Sequence, residues 1–243
     1  YKRMKPKFLG KNNKSQNKRG KNLLDIIDRV SLDIKYGLDI WNVYDFMYLD
    51  NNKIPSLSVL EISIPASSKF LIESKSMKLY LNHFYNKSYK SKNEIIRKIK
   101  KDIESKIKIR IKVNFIDTFI KEPKFIYLNN FKLKKTPINK VIKFNGFRSI
   151  CPVTSQPDFA NIYIYSNESL DSLWLKKYLI SFSDHGGFHE QCIELIFKEL
   201  IKKYKIKHLE ICGRFQRRGG IDINPIRGTH QKKMFINFRE FNQ

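Results

Sequence analysis

The chain has 243 residues, 41% of them hydrophobic and 13% aromatic, with 48 Lys and Arg against 23 Asp and Glu for a formal charge of +25. This is the composition of a folded protein with a sizeable core, and no apolar run approaches the roughly 20 residues of a membrane-spanning helix. With a polar, lysine-rich start and no hydrophobic signal segment, the expected location is cytoplasmic and the expected membrane role is none.

Tyr1 stands where a methionine would begin a natural chain, so the expected natural start lies upstream. Three cysteines (Cys151, Cys192 and Cys212) are too few and too scattered for a disulfide framework. His185, His189 and Cys192 are close in sequence, but zinc would need a further ligand cluster, so no metal is expected. The positive charge is mostly lysine, 37 against 11 arginines, and it is spread along the chain. Arginine is favoured for bidentate phosphate and base recognition. The charge therefore implies non-specific polyanion affinity and no specific nucleic-acid partner.

Residues 1–22 are rich in Lys, Asn, Ser and Gly and predict a loose arm. A strand comes next, with Trp41, Val43, Asp45, Met47 and Leu49 on one face and Tyr44, Phe46 and Tyr48 on the other. After a turn at Asn51-Asn52-Lys53, Leu57, Val59, Glu61 and Ser63 alternate with Leu60, Ile62 and Ile64 until Pro65 stops the strand. Residues 91–104 read as an amphipathic helix with Ile95, Ile96, Ile99 and Ile103 on one side and Ser91 as cap. Ile107, Ile109, Ile111, Val113 and Phe115 then alternate with Lys106, Lys108, Arg110 and Lys112, a strand with one wet face.

Pro123, Asn129, Asn130 and Pro137 mark a connection. Beyond it, strands are predicted through about 141–154 and over Ala160–Tyr165. A helix begins near Ser169 and carries Leu173, Trp174, Tyr178 and Leu179. Ser183-Asp184-His185-Gly186-Gly187 breaks it, and a second helix carries Ile193, Ile196, Phe197, Leu200 and Tyr204. Two more strands are predicted, at 207–215 and about 231–239. Both halves read strand, strand, helix, helix, strand, strand. The expected class is α+β, with antiparallel sheets, both helices of each half on one face, and open edges that oligomerisation could pair. The expected division is an arm over 1–35, a first module over 36–120, a connection over 121–140 and a second module over 141–243.

Cys151-Pro152-Val153-Thr154-Ser155-Gln156-Pro157-Asp158 places a thiol and a carboxyl seven residues apart. On one regular strand that odd separation would send them to opposite faces. The two prolines disfavour helix at Cys151 and Gln156 and let the chain turn so that Asp158 comes back towards Cys151. A thiol beside a carboxyl suits a nucleophile with a proton donor. Free cysteine is also among the most buried residue types, and by itself is more often just a small hydrophobe.

Three segments together resemble the NADPH-dependent 7-cyano-7-deazaguanine reductases, the QueF nitrile reductases of queuosine biosynthesis, in their long two-module form. They are Glu73-Ser74-Lys75-Ser76-Met77-Lys78-Leu79-Tyr80, the Cys151–Asp158 stretch, and Phe188-His189-Glu190-Gln191-Cys192 followed by Arg217-Arg218-Gly219-Gly220-Ile221-Asp222-Ile223-Asn224-Pro225. The resemblance covers 36–116 and 145–228. It implies two tandem tunnelling-fold modules, each a four-stranded antiparallel sheet with two helices, in a homodimer. It further implies Cys151 as the nucleophile that adds to the nitrile carbon and Asp158 as the acid, desolvated and largely protonated before reaction.

Ile72, Glu73, Ser74, His189 and Glu190 match the family's substrate side, with Glu190 the preferred anchor for a guanine-like base. Ser74, Lys75, Arg218 and Gly219 match its NADPH contacts. Singly, Lys75 and Arg218 would be solvated charges, Glu73 a surface residue or helix cap, and Glu190 a carboxylate favoured by a helix N-terminus. Cys192 and Cys212 read as core. Two other readings stay open: another tunnelling-fold purine or pterin enzyme, and a basic RNA-binding protein that kept the fold without the chemistry.

Overall fold

The computed structural model describes residues 20–30, 34–231 and 234–243. Most of the predicted loose arm, residues 1–19, lies outside the described residues. The segment after residue 22 is built into the fold: Leu23, Leu24 and Ile27 are buried, and β1 (Ile26–Asp28) pairs antiparallel with β4 (Phe70–Ile72). The arm as bounded at residue 35 is therefore too long.

The other strands are β2 (Tyr36–Leu49), β3 (Pro55–Pro65), β5 (Lys112–Ile116), β6 (Ile126–Tyr127), β7 (Lys140–Ile150), β8 (Pro157–Ser166), β9 (Leu209–Phe215) and β10 (Ile221–Gly228). They form one eight-stranded sheet in the order β5-β3-β2-β10-β9-β8-β7-β6. Every neighbour pair is antiparallel except β6 with β7. The two halves of the chain meet at the centre, where β10 runs against β2 from Ile221 opposite Val43 to Gly228 opposite Tyr36. The first half lays three strands in this sheet rather than the expected four, because β4 is taken by β1.

Helices α1 (Ser74–Asn82), α2 (Lys92–Ile107), α3 (Ser172–Ile180) and α4 (His189–Tyr204) complete an α+β architecture. Ile95, Ile99 and Ile103 of α2 are fully buried against Trp41, Leu60 and Ile62. Such side chains contribute about 1.5–3 kcal/mol each by leaving water. In the second half Ile193, Ile196 and Leu200 of α4 pack on Ile162, Ile211 and Phe215. The opposite face of the sheet carries Ile40, Tyr163, Cys212 and Ile226 under Phe235 and Phe238 of the C-terminal segment.

Four local differences from the sequence reading have identifiable causes. In β2 a bulge between Val43 and Phe46 shifts the register, so Trp41, Val43, Phe46 and Tyr48 share one core instead of dividing between faces. Helix α2 continues to Ile107 and ends on Lys108 at φ 58°, so the predicted strand begins only at Lys112; the alternating isoleucines straddle a helix end. In α3, capped by Asp171, Leu173 points outward and Leu175 takes the buried place.

The predicted last strand at 231–239 is not one among its described residues. The strand is β10, through the Gly-Gly-Ile-Asp-Ile-Asn-Pro run, and all eight of its residues are buried. It pairs with β9 only from Ile226 onward. Pro225, which has no N–H to give, stands where that ladder stops. Ahead of it the sheet parts, and Asn224 Oδ1 accepts the Phe215 N–H at 3.2 Å across the gap.

Candidate active site

The parting of β9 and β10 opens beside a cavity of about 290 Å³ whose walls come from both halves of the chain. One wall is the hairpin loop between β7 and β8. Ile150 lies opposite Pro157 and Ser149 opposite Asp158. The loop is closed by the Cys151 N–H donating to Gln156 O at 2.9 Å and the Ser155 N–H donating to Cys151 O at 3.0 Å. Ser155 turns the chain at φ 57°, and Pro157 begins β8, a position that asks for no N–H. The predicted return of Asp158 towards Cys151 is thus a hairpin, and both residues line the cavity. Strand β7 ends at Ile150, short of the predicted 154.

Asp158 is 4% exposed, the desolvation expected of it. Two neighbours that the sequence did not show hold its carboxyl. Arg218 Nε–H donates to Oδ1 at 3.1 Å, and His189 Nε2 lies 3.2 Å from the same oxygen. Cys151 is half-buried, whereas Cys192 and Cys212 are core, with burial pushing each thiol up to about 12.

The start of α4 supplies the second wall. Its glycine-rich approach is tied down: the Ile150 N–H donates to His185 O at 2.8 Å and the Gly187 N–H to Ile150 O at 3.0 Å. The Phe188 N–H donates to Gln191 Oε1 at 3.1 Å, which fixes the first turn. The His189 ring stacks on Phe215 with centroids 3.9 Å apart and planes at 9°. Its Nδ1 is buried without a hydrogen-bond partner among the described residues. Glu190, 4% exposed, lines the cavity. Burial, then the negative charge of Asp39, push its carboxyl up to about 7, against the pull of His189 and Arg29.

Behind Glu190, one turn along α4, Glu194 belongs to a buried ionic cluster. Arg227 Nη2–H donates to Asp39 Oδ1 and to Glu194 Oε1, both at 2.7 Å, and Arg29 reaches the same two carboxylates. Burial opposes the charge on Asp39, and Arg227 and Arg29 overcome it and hold that carboxyl below its ordinary value.

The third wall is the start of α1. Glu73 is its N-cap: Oε1 accepts from the Lys75 N–H at 2.9 Å and Oε2 from the Ser76 N–H at 2.7 Å. Its local role is the helix cap, and a carboxylate oxygen that accepts one such bond retains a second lone pair. Ile72, Ser74 and Lys75 also line the cavity. So does Lys78, which sequence reasoning did not single out. Three residues beyond Lys75, it falls on the same helix face. Its ammonium is lowered below the ordinary lysine value by burial and by Arg218, with Glu73 and Asp45 opposing.

The β9–β10 turn closes the site with Gln216, Arg218 and two glycines in the left-handed region, Gly219 at φ 55° and Gly220 at φ 77°. Every candidate residue except Gly219 lines the cavity, and Gly219 lines the adjoining one under the Lys78 side chain. The cations Lys75, Lys78 and Arg218 around a bare glycine backbone fit a phosphate-bearing cofactor such as the NADPH that the resemblance implies.

Known family models and proteins match this chain along most of its length. A family model described as "Nitrile reductase, 7-cyano-7-deazaguanine-reductase N-term" matches residues 6–115, and one described as "QueF-like protein" matches 157–234. The first match extends the likeness into the arm, well ahead of residue 36. An NADPH-dependent 7-cyano-7-deazaguanine reductase of Coxiella burnetii (strain RSA 493 / Nine Mile phase I) is 33% identical over 233 residues, 86% of this chain and 82% of the relative. Its counterpart in Desulfotalea psychrophila is 34% identical over 226 residues, 84% of this chain and 82% of that protein. In Paraburkholderia xenovorans the figures are 32% over 228 residues, 84% and 83%. With two family models matching in turn along the chain, and with relatives this similar along most of their length, the chain belongs to the family of NADPH-dependent 7-cyano-7-deazaguanine reductases.

Proposed function

We infer that this protein is an oxidoreductase that reduces the nitrile of 7-cyano-7-deazaguanine to the aminomethyl group of 7-aminomethyl-7-deazaguanine with NADPH, in queuosine biosynthesis. One observation carries the reading: a single cavity into which Cys151, Asp158 and Glu190 open, with Lys75 and Arg218 around it. Bound NADPH supplies the hydride.

Cys151 Sγ, as the thiolate, adds to the nitrile carbon, so a C–S bond forms as one C–N π bond opens, and the nitrogen takes a proton from Asp158. The resulting thioimide has the C=N character that a free nitrile lacks as a hydride acceptor. Cys151 is released before the second reduction, and two hydrides with two protons convert nitrile to amine. Arg218 and His189 fix the position of the Asp158 carboxyl in the cavity. Glu190, once ionised, accepts two parallel hydrogen bonds from the N–H groups on the pyrimidine edge of the base. Glu73, already committed to α1, adds a contact through a remaining lone pair. His189 is fixed by its stack on Phe215 and by Nε2 beside the Asp158 carboxyl, and so presents its ring edge next to the acid.

The two-module tunnelling fold, the homodimer and the cytoplasmic location belong to the same reading. It is supported by four helices on one sheet face and by sheet edges at β5 and at β6 and β7 that a second copy would pair.

The test is purified protein with 7-cyano-7-deazaguanine and NADPH, following cofactor oxidation. Cys151→Ala is expected to abolish turnover and the covalent substrate adduct seen by mass spectrometry. Asp158→Asn is expected to lower kcat by about 10²–10⁴. No turnover by the folded parent would sink the reading, whereas turnover that survives Cys151→Ala would sink only the covalent mechanism.

A further inference from the structure

The catalytic cavity is too small for what the reaction brings to it. At about 290 Å³ it lies at the low end for pockets that enclose one drug-sized ligand, and it must admit a deazapurine and a nicotinamide together. The rest of a dinucleotide has to leave along a wall. A second cavity of about 250 Å³ shares Lys75, Lys78 and Ile221 with the first. The open cleft beside Arg29 and Lys69 shares no lining residue with it.

We propose that this second cavity seats the adenosine end of NADPH, with the Tyr85 ring as the face on which adenine stacks. The proposal rests on NADPH being the cofactor, as read above. Lys75, Lys78 and Asn82 succeed one another along one face of α1, at helical spacing. The chain then turns, the Tyr85 N–H donating to Asn82 O at 3.3 Å, and this brings Tyr85 to the outer end of the same row. The row thus leads from the catalytic cavity outward: two cations at the neck, then an amide, then an aromatic ring. Tyr85 is 49% exposed, a large ring left in water at the edge of a concave surface that also holds Met47 and Leu79.

Each part suits one part of the ligand. Lys75 and Lys78 meet the diphosphate where it crosses the neck. Asp45, packed against Gly220, offers an acceptor for a ribose hydroxyl. Any purine presents a π-face to Tyr85.

The test is calorimetric binding of NADP⁺, of its adenosine fragment adenosine 2′,5′-bisphosphate, and of nicotinamide mononucleotide, to parent, Tyr85→Ala and Tyr85→Phe. Loss of one stacked base corresponds to about a tenfold or greater loss of affinity. Tyr85→Ala is therefore expected to weaken NADP⁺ and the adenosine fragment by about tenfold and to leave nicotinamide mononucleotide unchanged, while Tyr85→Phe keeps parental affinity for all three. Equal affinity of Tyr85→Ala and parent for the adenosine fragment overturns the subsite and leaves the cofactor reading standing. A folded parent that binds none of the three overturns both. Because Tyr85 is exposed and outside the core, the alanine variant keeps the parental melting temperature, which separates a lost contact from a lost fold.

Discussion

Glu190 holds its proton to about pH 7, because its carboxyl is buried at the start of α4 with Asp39 close behind. In its proposed role as anchor of the base it must be ionised, since only that form accepts both N–H groups. Affinity for 7-cyano-7-deazaguanine is therefore expected to be full above pH 7 and to fall towards tenfold per pH unit below it, as read by titration on either side of that value. Stability runs the other way. The folded protein binds this proton more tightly than the unfolded chain, so the contribution falls as pH rises from about 4.5 to about 7. Glu190→Gln is expected to be more stable than parent at pH 8 by up to about 3 kcal/mol, while losing substrate binding. A variant less stable than parent at that pH would show that the carboxylate is held by hydrogen bonds that outweigh its burial.

Two glycines separate the cost of a backbone angle from the cost of a contact. Gly146 in the β7 bulge has φ 84° and open space where a Cβ would stand; Gly220 in the β9–β10 turn has φ 77° and the Asp45 carboxylate 2.1 Å from that position. Gly146→Ala is expected to cost only the strain of the conformation, about 1–2 kcal/mol. Gly220→Ala must in addition move Asp45 or the turn that presents Arg218, and should raise the KM for NADPH as well as lower the melting temperature. At the start of α1, Glu73→Ala removes the acceptor for two backbone N–H groups and is expected to cost about 0.5–2 kcal/mol by thermal unfolding. The same change loosens the turn that carries Lys75, so cofactor affinity should fall with it.

Across the whole molecule, the cluster of Arg29, Asp39, Glu194 and Arg227 ties together four separate pieces of chain: the segment after β1, β2, α4 and β10. Buried ion pairs are costly to break from one side, because the abandoned charge has no water to return to. Arg227→Met, which leaves Asp39 and Glu194 short of a cation, is expected to destabilise the fold by about 3–5 kcal/mol in urea denaturation. Since β10 also closes the sheet between the halves, parent and variant should each unfold in one transition. Two separated transitions in the parent would mean that the halves are independent units.

The local features were legible in the sequence for local reasons. Isoleucines at 95, 96, 99 and 103 share one side of a helix, whereas a strand would send Ile96 to the other face, and Ser91 could be read as the cap because capping depends on neighbouring backbone alone. Pro152 and Pro157 restrict their own neighbourhood, so the turn between Cys151 and Asp158 was readable before any fold was known. Most residues gathered in the cavity could be named because the motif residues resemble those of a family.

What the sequence did not carry depends on partners far away in the chain. Asp222 and Asn224 make β10 look like a loop. They are buried because Asn42, Tyr44 and Phe215 supply their hydrogen bonds, from 9 to 180 residues away. Lys78 looked like one more lysine among 37 until α1 set it over Gly219, and Arg218 became a partner of Asp158 only when the β9–β10 turn met the β7–β8 hairpin. Periodicity and turn chemistry act over a few residues and were fixed by the chain itself. Which polar groups could be buried was decided by the tertiary structure, which alone brings their partners within hydrogen-bond reach.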